Sequence, residues 1–304
     1  MSHCLTSFSH PKLPLLHVGK VRDSFRIDAK RRLIVVSDRL SAFDFVLQTP
    51  IPHKGAVLNG ISNWWFERTS DIIANHFLHS PDPNVAIVRE AVPIRIEMVV
   101  RGYLCGSVLR EYEQGKRVFS GITLPDGLMR HQRFDAPILT PTTKEKSDRP
   151  ISPADIALEG WASHDLYEQM SHIALRLYEF GCQELAKKGL LLVDTKYEFG
   201  LINDELVLID EIHTPDSSRF WLQSDYDAEP TTASQIDKEY MRQWLISNKI
   251  NGEYPTSLPD EVAQEGARRY LQIYETLTGK ALRQDDDLPI QERIIRNLHI
   301  AGVL

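Results

Sequence analysis

Short apolar runs and longer stretches of helical spacing alternate along this chain. Alternating or continuous apolar residues predict strands at 17–27, 33–36, 85–89, 94–100, 190–193 and 206–209. Apolar residues at helical spacing predict helices at 57–77, 107–112, 164–188, 236–247, 260–278 and 291–298. The pattern therefore predicts a protein of mixed strands and helices, with the last three helices serving packing and residues 1–16 forming a loosely attached arm.

The stretch 189–221 carries the densest combination of apolar runs and charge. Its two apolar runs, 190–193 and 206–209, flank the polar cluster 203–205, which predicts a β-hairpin. Side chains alternate along a strand, so three charged residues after the first run share one face: Asp194, Lys196 and Glu198. We therefore expect these three charged side chains to form one face of the strand.

The hairpin also predicts a metal site. With a three-residue turn, Glu198 lies opposite Asp210, whereas a two-residue turn places the two carboxylates on opposite faces. Facing carboxylates repel each other unless a cation lies between them, and Mg²⁺ is bound in nucleotide sites by one or two carboxylates together with phosphate oxygens. Lys196 is positioned to meet a phosphate or a substrate carboxylate. The alternative is a surface hairpin with solvated charges, which the dense mixing of charges makes less favourable.

Composition and charge narrow the class of protein. The 304 residues are 42% hydrophobic and 25% charged, which is ordinary for a globular protein. A net charge of −7 argues against general nucleic-acid binding, no apolar run reaches ~20 residues, and the N-terminus lacks the pattern of a secretory signal. Three widely spaced cysteines form no zinc or disulfide pattern, so we expect a reducing cytoplasm and a structural role for Cys105.

Several other segments are suited to anionic ligands. Gly19 and Lys20 combine a close backbone approach with a charge, although the alternative is an exposed basic strand. Ser37-Asp38-Arg39 follows a predicted strand directly, and Gly106-Ser107 precedes a helix whose N-terminus favours anions. The segment 213–219 is rich in hydroxyl groups and ends in Arg219. The segment 114–152 has no long periodicity and is expected to be a functional loop, part of a lid, with Lys144 and Asp148 as its working groups.

Taken together and in this order, these motifs resemble the SAICAR synthetase family. The matching pieces are Gly19-Lys20-Val21-Arg22-Asp23, Ser37-Asp38-Arg39, Ser41-Ala42-Phe43-Asp44, Lys54-Gly55, Arg101-Gly102-Tyr103, Gly106-Ser107, Thr140-Pro141-Thr142-Thr143-Lys144, Asp194-Thr195-Lys196-Tyr197-Glu198-Phe199-Gly200 and Asp210-Glu211-Ile212-His213-Thr214-Pro215-Asp216-Ser217-Ser218-Arg219. Each piece is weak evidence by itself, whereas the set is specific. Arg22 stands where some relatives have lysine, and the two residues bind phosphate differently.

The resemblance implies a fold of the α+β class with two lobes, similar to protein kinases and ATP-grasp enzymes. A β-rich N-terminal lobe, 1–96, would cover ATP, and an α/β C-terminal lobe, 97–304, would hold metal and substrate. The implied reaction joins L-aspartate to carboxyaminoimidazole ribonucleotide (CAIR), giving SAICAR, ADP and phosphate in purine biosynthesis, through an acyl phosphate and with Mg²⁺. The implied partners are small molecules in the cytoplasm, with no nucleic acid, membrane or obligate protein partner.

The resemblance also implies site residues, taken over position by position. Nucleotide binding falls on Gly19, Lys20, Val21, Arg22, Glu97, Met98, Val99 and Lys144. Metal binding falls on Glu198 and Asp210, which join Lys196 and Arg219 as the catalytic set. Substrate binding falls on Asp44, Arg101, Ser107, Asp148, Lys196, Ser218, Arg219 and Arg242.

Two other functions compete with ligation. One is a small-molecule kinase on a similar scaffold; a protein kinase is disfavoured because the sequence has no H-R-D-x-x-x-x-N or D-F-G motif. The other is a nucleotide-binding regulator without catalysis. The full set of charges at Lys196, Glu198, Asp210 and Arg219 argues against the regulator, because binding alone does not require it.

Overall fold

The computed structural model describes residues 4–43, 45–145, 148–233, 238–283 and 288–304. The chain forms two compact units: the first contains Met1–Glu67, His76–Glu90 and Ile236–Leu304, and the second contains Arg68–Asn75 and Ala91–Gln235. These units differ from the predicted lobes 1–96 and 97–304, because the C-terminal helices group with the N-terminal strands. The functional roles predicted for the two lobes remain predictions.

An antiparallel sheet forms the centre of the first unit. Its strands, in the spatial order β1-β2-β3-β7-β6, are β1 (Leu15–Val18), β2 (Arg22–Arg26), β3 (Arg31–Val36), β6 (Phe77–Asp82) and β7 (Val85–Arg89), and a separate pair is formed by β4 (Ser41–Ala42) and β5 (Phe45–Val46). The single strand predicted at 17–27 is thus wrong. The chain turns at Gly19, whose N–H donates to the Arg22 carbonyl at 2.8 Å.

The helices of the first unit are α1 (Lys54–Arg68), α6 (Lys238–Ser247), α7 (Asp260–Thr278) and α8 (Ile290–Ile300). The core packs Phe25 and Leu33 of the sheet against Ile294 of α8. The N-terminal arm belongs to this core, since Leu5, Phe8 and Leu13 are buried in it. The prediction of a loosely attached arm is therefore wrong for the described residues after position 3.

A larger antiparallel sheet forms the centre of the second unit. Its strands are β8 (Val92–Tyr103), β11 (Arg133–Leu139), β12 (Thr142–Thr143), β13 (Arg149–Pro150), β14 (Leu190–Ile202), β15 (Glu205–Ile209) and β16 (Ser218–Leu222); β9 (Val118–Phe119) and β10 (Ile122–Thr123) form a separate pair. The segment 114–152, predicted to be a loop, thus contributes short strands. Its apolar residues are too few per strand to show a periodicity in the sequence.

The second unit also contains the helices α2 (Gly106–Glu113), α3 (Pro153–Leu158), α4 (His164–Ala186) and α5 (Gln223–Ala228). Ser152 and Ser163 accept the N–H groups of Asp155 and Leu166 and so begin α3 and α4 as N-caps. On one face of the sheet α4 packs beside β14, where the Tyr178 hydroxyl donates to the Leu192 carbonyl at 2.7 Å. Within the described part of the chain, none of the helices has the length and apolarity needed to cross a membrane.

Candidate functional site

The centre of the second unit's sheet carries a line of charged side chains. β8 and β14 pair antiparallel, with Glu97 opposite Glu198 and Arg101 opposite Asp194. Because alternate residues share a face, both pairs lie on the same face as Lys196. This confirms the alternation predicted for β14. On the opposite face Met98 is paired with Tyr197, and both side chains are buried.

The two central strands, β8 and β14, each change their outer partner strand at this level of the sheet. Beside β8, β11 is paired as far as Val100, and β12 begins opposite Glu97. Beside β14, β15 is paired as far as Glu198, and β16 begins opposite Thr195. Loops therefore enter the sheet on both sides of the charged line, and loops held by a rigid scaffold are the usual location of functional groups.

The hairpin between β14 and β15 has a two-residue turn. Ile202 pairs with Glu205, and Asn203 and Asp204 both have left-handed backbones, with φ of 52° and 63°. Such turns match the twist of the flanking strands. The alternative of a three-residue turn, with Glu198 opposite Asp210, is therefore wrong, and Ile209 lies opposite Glu198.

Asp210 nevertheless contributes its charge to the face of Lys196. It lies beyond the end of β15 with a φ of 66°, so strand alternation no longer decides where its side chain points. Burial alone would lower the pKa of Lys196, but the charges of Glu198, Glu97 and Asp210 outweigh it and raise that pKa. Asp210 is thus near enough to act on Lys196.

We call Glu97, Glu198, Asp210, Lys144 and Lys196 the lysine–carboxylate cluster. The Lys196 Nζ lies 2.6 Å from Glu97 and 3.1 Å from Glu198, and Lys144 Nζ binds the other oxygen of Glu198. The two glutamates are buried, whereas Lys196 is partly exposed. The five residues carry three carboxylates and two ammonium groups, so their formal charges sum to −1.

A second charged group lies on the same face of β8 and β14. Asp194 accepts hydrogen bonds from Arg101 at 3.1 Å and from Arg219, and we call these three residues the arginine–aspartate network. Arg101 also donates to the Thr140 hydroxyl at 2.8 Å, and burial lowers its pKa. Two guanidinium groups share one carboxylate, so the formal charge is +1, which favours an anionic ligand.

The N-terminus of α2 adjoins this network. Gly106 has a φ of 61°, and a Cβ there would lie 2.8 Å from the guanidinium nitrogens of Arg219, so glycine allows both the backbone turn and the close packing of the arginine. Ser107 follows in the first turn of α2. Free N–H groups at a helix N-terminus add to the preference for an anion.

A buried neutral pair lies on the opposite face of β14. The Tyr197 hydroxyl lies 2.6 Å from His213 Nε2, and both side chains are fully buried. Burial lowers the pKa of His213 to about 3, so the imidazole is neutral. His213 has a φ of 47°, and the pair holds the strained segment that joins Asp210 to β16.

The remaining predicted residues lie in several places. Gly19, Lys20, Val21 and Arg22 form the β1–β2 turn of the first unit. Ser218 is buried and its hydroxyl lies 2.8 Å from that of Thr195, Asp148 is exposed immediately before β13, and Asp44 falls outside the described residues. Arg242 belongs to the first unit, where its guanidinium carbon lies 5.2 Å from the centre of the Phe43 ring. Val99 lies in β8 opposite Lys196.

Two residues that organise these sites were not among the predicted site residues, although Arg39 lies in a segment that was expected to carry ligand groups. Asp194 joins both arginines of the network, although its position on the charged face was predicted. Arg39 donates both to the Asp23 carboxylate and to the β1–β2 turn. The signal available for Arg39 was its place directly after an apolar strand, in a segment that also contains two hydroxyl groups and two aspartates.

The carboxylates of the lysine–carboxylate cluster can be compared with the ligands that Mg²⁺, the metal implied by the resemblance, requires. Among the residues described, no group of three or more His, Cys, Asp or Glu side chains is arranged to hold a metal ion. A protein-only cage is therefore absent from that part of the chain. Glu198 with Asp210 still fits Mg²⁺ bound to a nucleotide, because that ion takes one or two carboxylates and completes its shell with phosphate and water oxygens.

Comparison with known proteins agrees with this chemistry. Residues 15–257 match the family model described as SAICAR synthetase. A relative from Legionella pneumophila (strain Lens), named phosphoribosylaminoimidazole-succinocarboxamide synthase, is 42% identical, with 98% of each chain covered. One from Cytophaga hutchinsonii with the same name is 41% identical, with 96% of this chain and 97% of the relative covered.

Solved structures give the same result. The chain is similar to SAICAR-synthase from Saccharomyces cerevisiae complexed with SAICAR, with a TM-score of 0.82 and 34% identity over 91% of this chain and 99% of that one. It is also similar to a type-2 SAICAR synthetase in complex with ADP, with a TM-score of 0.70 and 26% identity over 89% of this chain and 100% of that one.

Proposed function

The chain belongs to the SAICAR synthetase family, and from this premise we propose that its charged sheet face holds the reactants of the family's ligation. The protein is an ATP-dependent ligase that joins L-aspartate to CAIR and yields SAICAR, ADP and phosphate in purine biosynthesis. The reactants are small molecules, and we propose that they meet in the cytoplasm.

One observation carries the assignment of roles: two groups of opposite formal charge share one face of the same two strands. The lysine–carboxylate cluster is centred on Lys196, and the arginine–aspartate network is centred on Asp194. Residues two positions apart in a strand, such as Asp194 and Lys196, are separated by about 7 Å. That separation suits a phosphoryl donor at one group and an anionic acceptor at the other.

We assign the nucleotide to the lysine–carboxylate cluster. Lys144 and Lys196 supply positive charge for its phosphates, and Glu198 and Asp210 are the residues that would hold Mg²⁺. Bound there, Mg²⁺ would neutralise phosphate charge, and phosphoryl transfer depends mainly on such neutralisation and on positioning. The β1–β2 turn, 19–22, and the β8 residues Met98 and Val99 remain proposed nucleotide contacts.

We assign the ribonucleotide to the arginine–aspartate network. Arg101 and Arg219 offer forked donors that match a carboxylate or a phosphate, and Ser107 at the start of α2 adds a donor for the same anion. Ser218 belongs to the strand that carries Arg219. Arg242, Asp148 and Asp44 remain proposed substrate contacts.

The proposed chemistry has two steps. A carboxylate oxygen of CAIR attacks the terminal phosphorus of ATP, the bond from that phosphorus to the bridging oxygen breaks, and ADP leaves. The aspartate amine then attacks the acyl carbon, phosphate leaves with the electron pair of the C–O bond, and the amine loses a proton. Lys196, between Glu97 and Glu198, is positioned to stabilise the charge on the transferred group.

The decisive experiment measures ADP release together with product formation. Release of ADP that requires both CAIR and L-aspartate, with SAICAR detected by mass, supports ligation. Release of ADP with a hydroxyl acceptor in place of these substrates would support a small-molecule kinase instead. Omission of Mg²⁺ from otherwise complete mixtures tests the need for a divalent cation separately from the need for each substrate.

A further inference from the structure

We propose that Arg39 is a positioning residue that sets the conformation of the β1–β2 turn and thereby the affinity for ATP. The turn consists of residues 19–22 in the first unit, and Arg39 follows β3 in the same unit. The link to ATP rests on the proposed nucleotide role of the turn, whereas the structural link rests on the contacts described below.

Arg39 uses every N–H group of its guanidinium. Nε donates to the Lys20 carbonyl at 3.0 Å, and Nη2 donates to the Gly19 carbonyl at 3.1 Å. Nη1 donates to the Thr6 carbonyl at 2.7 Å, and the Asp23 carboxylate accepts from both terminal nitrogens at 2.7 and 3.1 Å. With five donors engaged, Arg39 has none left for a phosphate, so its effect on a ligand acts through the turn.

The residues after β3 hold three consecutive carbonyl groups of the turn. Arg39 binds those of Gly19 and Lys20, and Ser37 binds that of Val21 through its backbone N–H at 2.9 Å and its hydroxyl at 2.8 Å. The peptides described are trans, and a trans peptide directs its C=O and N–H to opposite edges. Arg39 therefore determines the direction in which the N–H groups that follow Gly19 and Lys20 point.

The Asp38 side chain joins the segment that carries Ser37 and Arg39 to the rest of the first unit. One of its oxygens accepts from the Gly55 N–H at the start of α1 at 2.8 Å, and the other accepts from the Leu5 N–H of the N-terminal arm at 2.7 Å. Asp38 is fully buried, and burial raises its pKa to about 6. Arg39 thus extends from an anchored backbone and can hold the turn in one conformation.

The turn also depends on Gly19. A Cβ at this position would lie 2.6 Å from the Arg22 carbonyl oxygen, closer than real Cβ atoms approach. Gly19 therefore allows the narrow turn, and Arg39 fixes its direction by binding the carbonyls of two of its four residues. A lysine at position 39 keeps the charge but presents its donors from a single nitrogen, so it cannot span Asp23 and the turn.

The experiment compares Arg39→Lys with Arg293→Lys as a matched control. Arg293 belongs to the same unit, makes a two-point contact with the Asp82 carboxylate at 2.9 and 3.1 Å, and donates also to Asn84 rather than to the turn. The two arginine side chains are 14% and 13% exposed, so both substitutions disturb a similarly buried ion pair. Asp23→Asn serves as a second variant if Arg39→Lys does not fold.

Three quantities are measured: amide hydrogen exchange of residues 19–22 without ligand, the KM of each substrate, and the thermal midpoint. We expect Arg39→Lys to speed exchange in the turn about tenfold and to raise the KM for ATP about tenfold, because a small misplacement of binding groups has effects of this size or more. The KM values for CAIR and aspartate should stay within about twofold. Arg293→Lys should lower the thermal midpoint without either change.

The outcomes separate the inference from the proposed function. Unchanged exchange in the turn, or a KM for ATP no higher than in Arg293→Lys, would overturn the role of Arg39. Absence of ligation in the unaltered protein would refute the proposed function alone, because the exchange measurement needs no substrate. Direct titration of ATP into both variants then still decides whether Arg39 affects nucleotide affinity.

Discussion

Two arginine–aspartate contacts in this protein differ in their balance of charge. In the first unit Arg39 meets Asp23 one to one, and its remaining donors bind backbone carbonyls. In the second unit Arg101 and Arg219 both bind Asp194, which leaves an excess positive charge. A balanced contact with every donor engaged can position a backbone, whereas an unbalanced one is suited to a ligand of opposite charge.

The lysine–carboxylate cluster is unbalanced in the opposite direction. Its three carboxylates exceed its two ammonium groups, and two of these charges meet at Glu198, which both Lys196 and Lys144 bind. We propose that this sheet face, with opposite formal charges on neighbouring groups, serves the ATP-dependent ligation of a carboxylate. The following substitutions change one of these balances at a time.

The largest effect is expected from Glu198→Gln. Glutamine keeps the size of the side chain but removes one carboxylate, so the cluster becomes neutral and loses a proposed Mg²⁺ ligand. We expect kcat/KM to fall about 10²- to 10³-fold with an unchanged circular dichroism spectrum. Glu159→Gln is the control, because Glu159 is a glutamate of the same unit whose ion pair with Arg149 is exposed. Near-normal turnover in Glu198→Gln would contradict the assignment.

A smaller and more selective effect is expected from Arg219→Lys. The charge of the network is kept, but the forked donor geometry is lost, so the KM for CAIR should rise about tenfold or more. The KM for ATP should change by less than about threefold. The control is Arg117→Lys, since Arg117 lies at the surface of the same unit over the Tyr112 ring. Equal increases in the KM for CAIR and the KM for ATP would contradict the assignment of Arg219 to the ribonucleotide.

The sequence predicted features that depend on neighbouring residues and missed those that depend on distant ones. Alternation along β14 is local, so the shared face of Asp194, Lys196 and Glu198 followed from the pattern. The pairing of β8 with β14 is not local: Lys196 and Glu97 are 99 positions apart. Glu97 was therefore expected among the nucleotide contacts through resemblance alone, and its opposition to Glu198 could not be predicted.

The position of Asp210 shows a second limit. Whether the turn at Asn203 has two or three residues decides the register of the whole hairpin, and both lengths suit its polar residues. The left-handed backbone of Asp210 then takes it out of the strand alternation. Likewise, β11 and β12 within 114–152 are stabilised by pairing with β8 rather than by a pattern of their own.

The neutral face of β14 permits a test through pH. Burial lowers the pKa of His213 to about 3 from an ordinary 6.5, so below 6.5 the unfolded chain binds a proton that the folded protein does not. The free energy of unfolding should therefore fall as pH falls from 6.5 towards 3, by up to about 1.4 kcal/mol per pH unit from this residue. His213→Gln should remove this contribution in urea titrations at several pH values.

The control for the pH test is His164→Gln, at a highly exposed position of the same unit. It should keep the pH dependence of the unaltered protein. A His213→Gln variant with the same slope as the His164→Gln variant would show that His213 is protonated in the folded state. That result would remove the contrast between the neutral face and the charged face of β14.

The smallest effect is expected from Cys105→Ser, and it tests the charge of the arginine–aspartate network itself. The Cys105 thiol lies 3.7 Å from Asp194, and burial together with that carboxylate raises its pKa to about 12. A thiolate would cancel the excess positive charge of the network, whereas a neutral thiol preserves it.

Serine keeps the donor to Asp194, so the kcat/KM of Cys105→Ser should stay within about threefold of the unaltered protein. In the unaltered protein, a thiol reagent should label Cys4 and Cys182 before Cys105. Rapid labelling of Cys105 with loss of activity would mean that the network is neutral before any ligand binds.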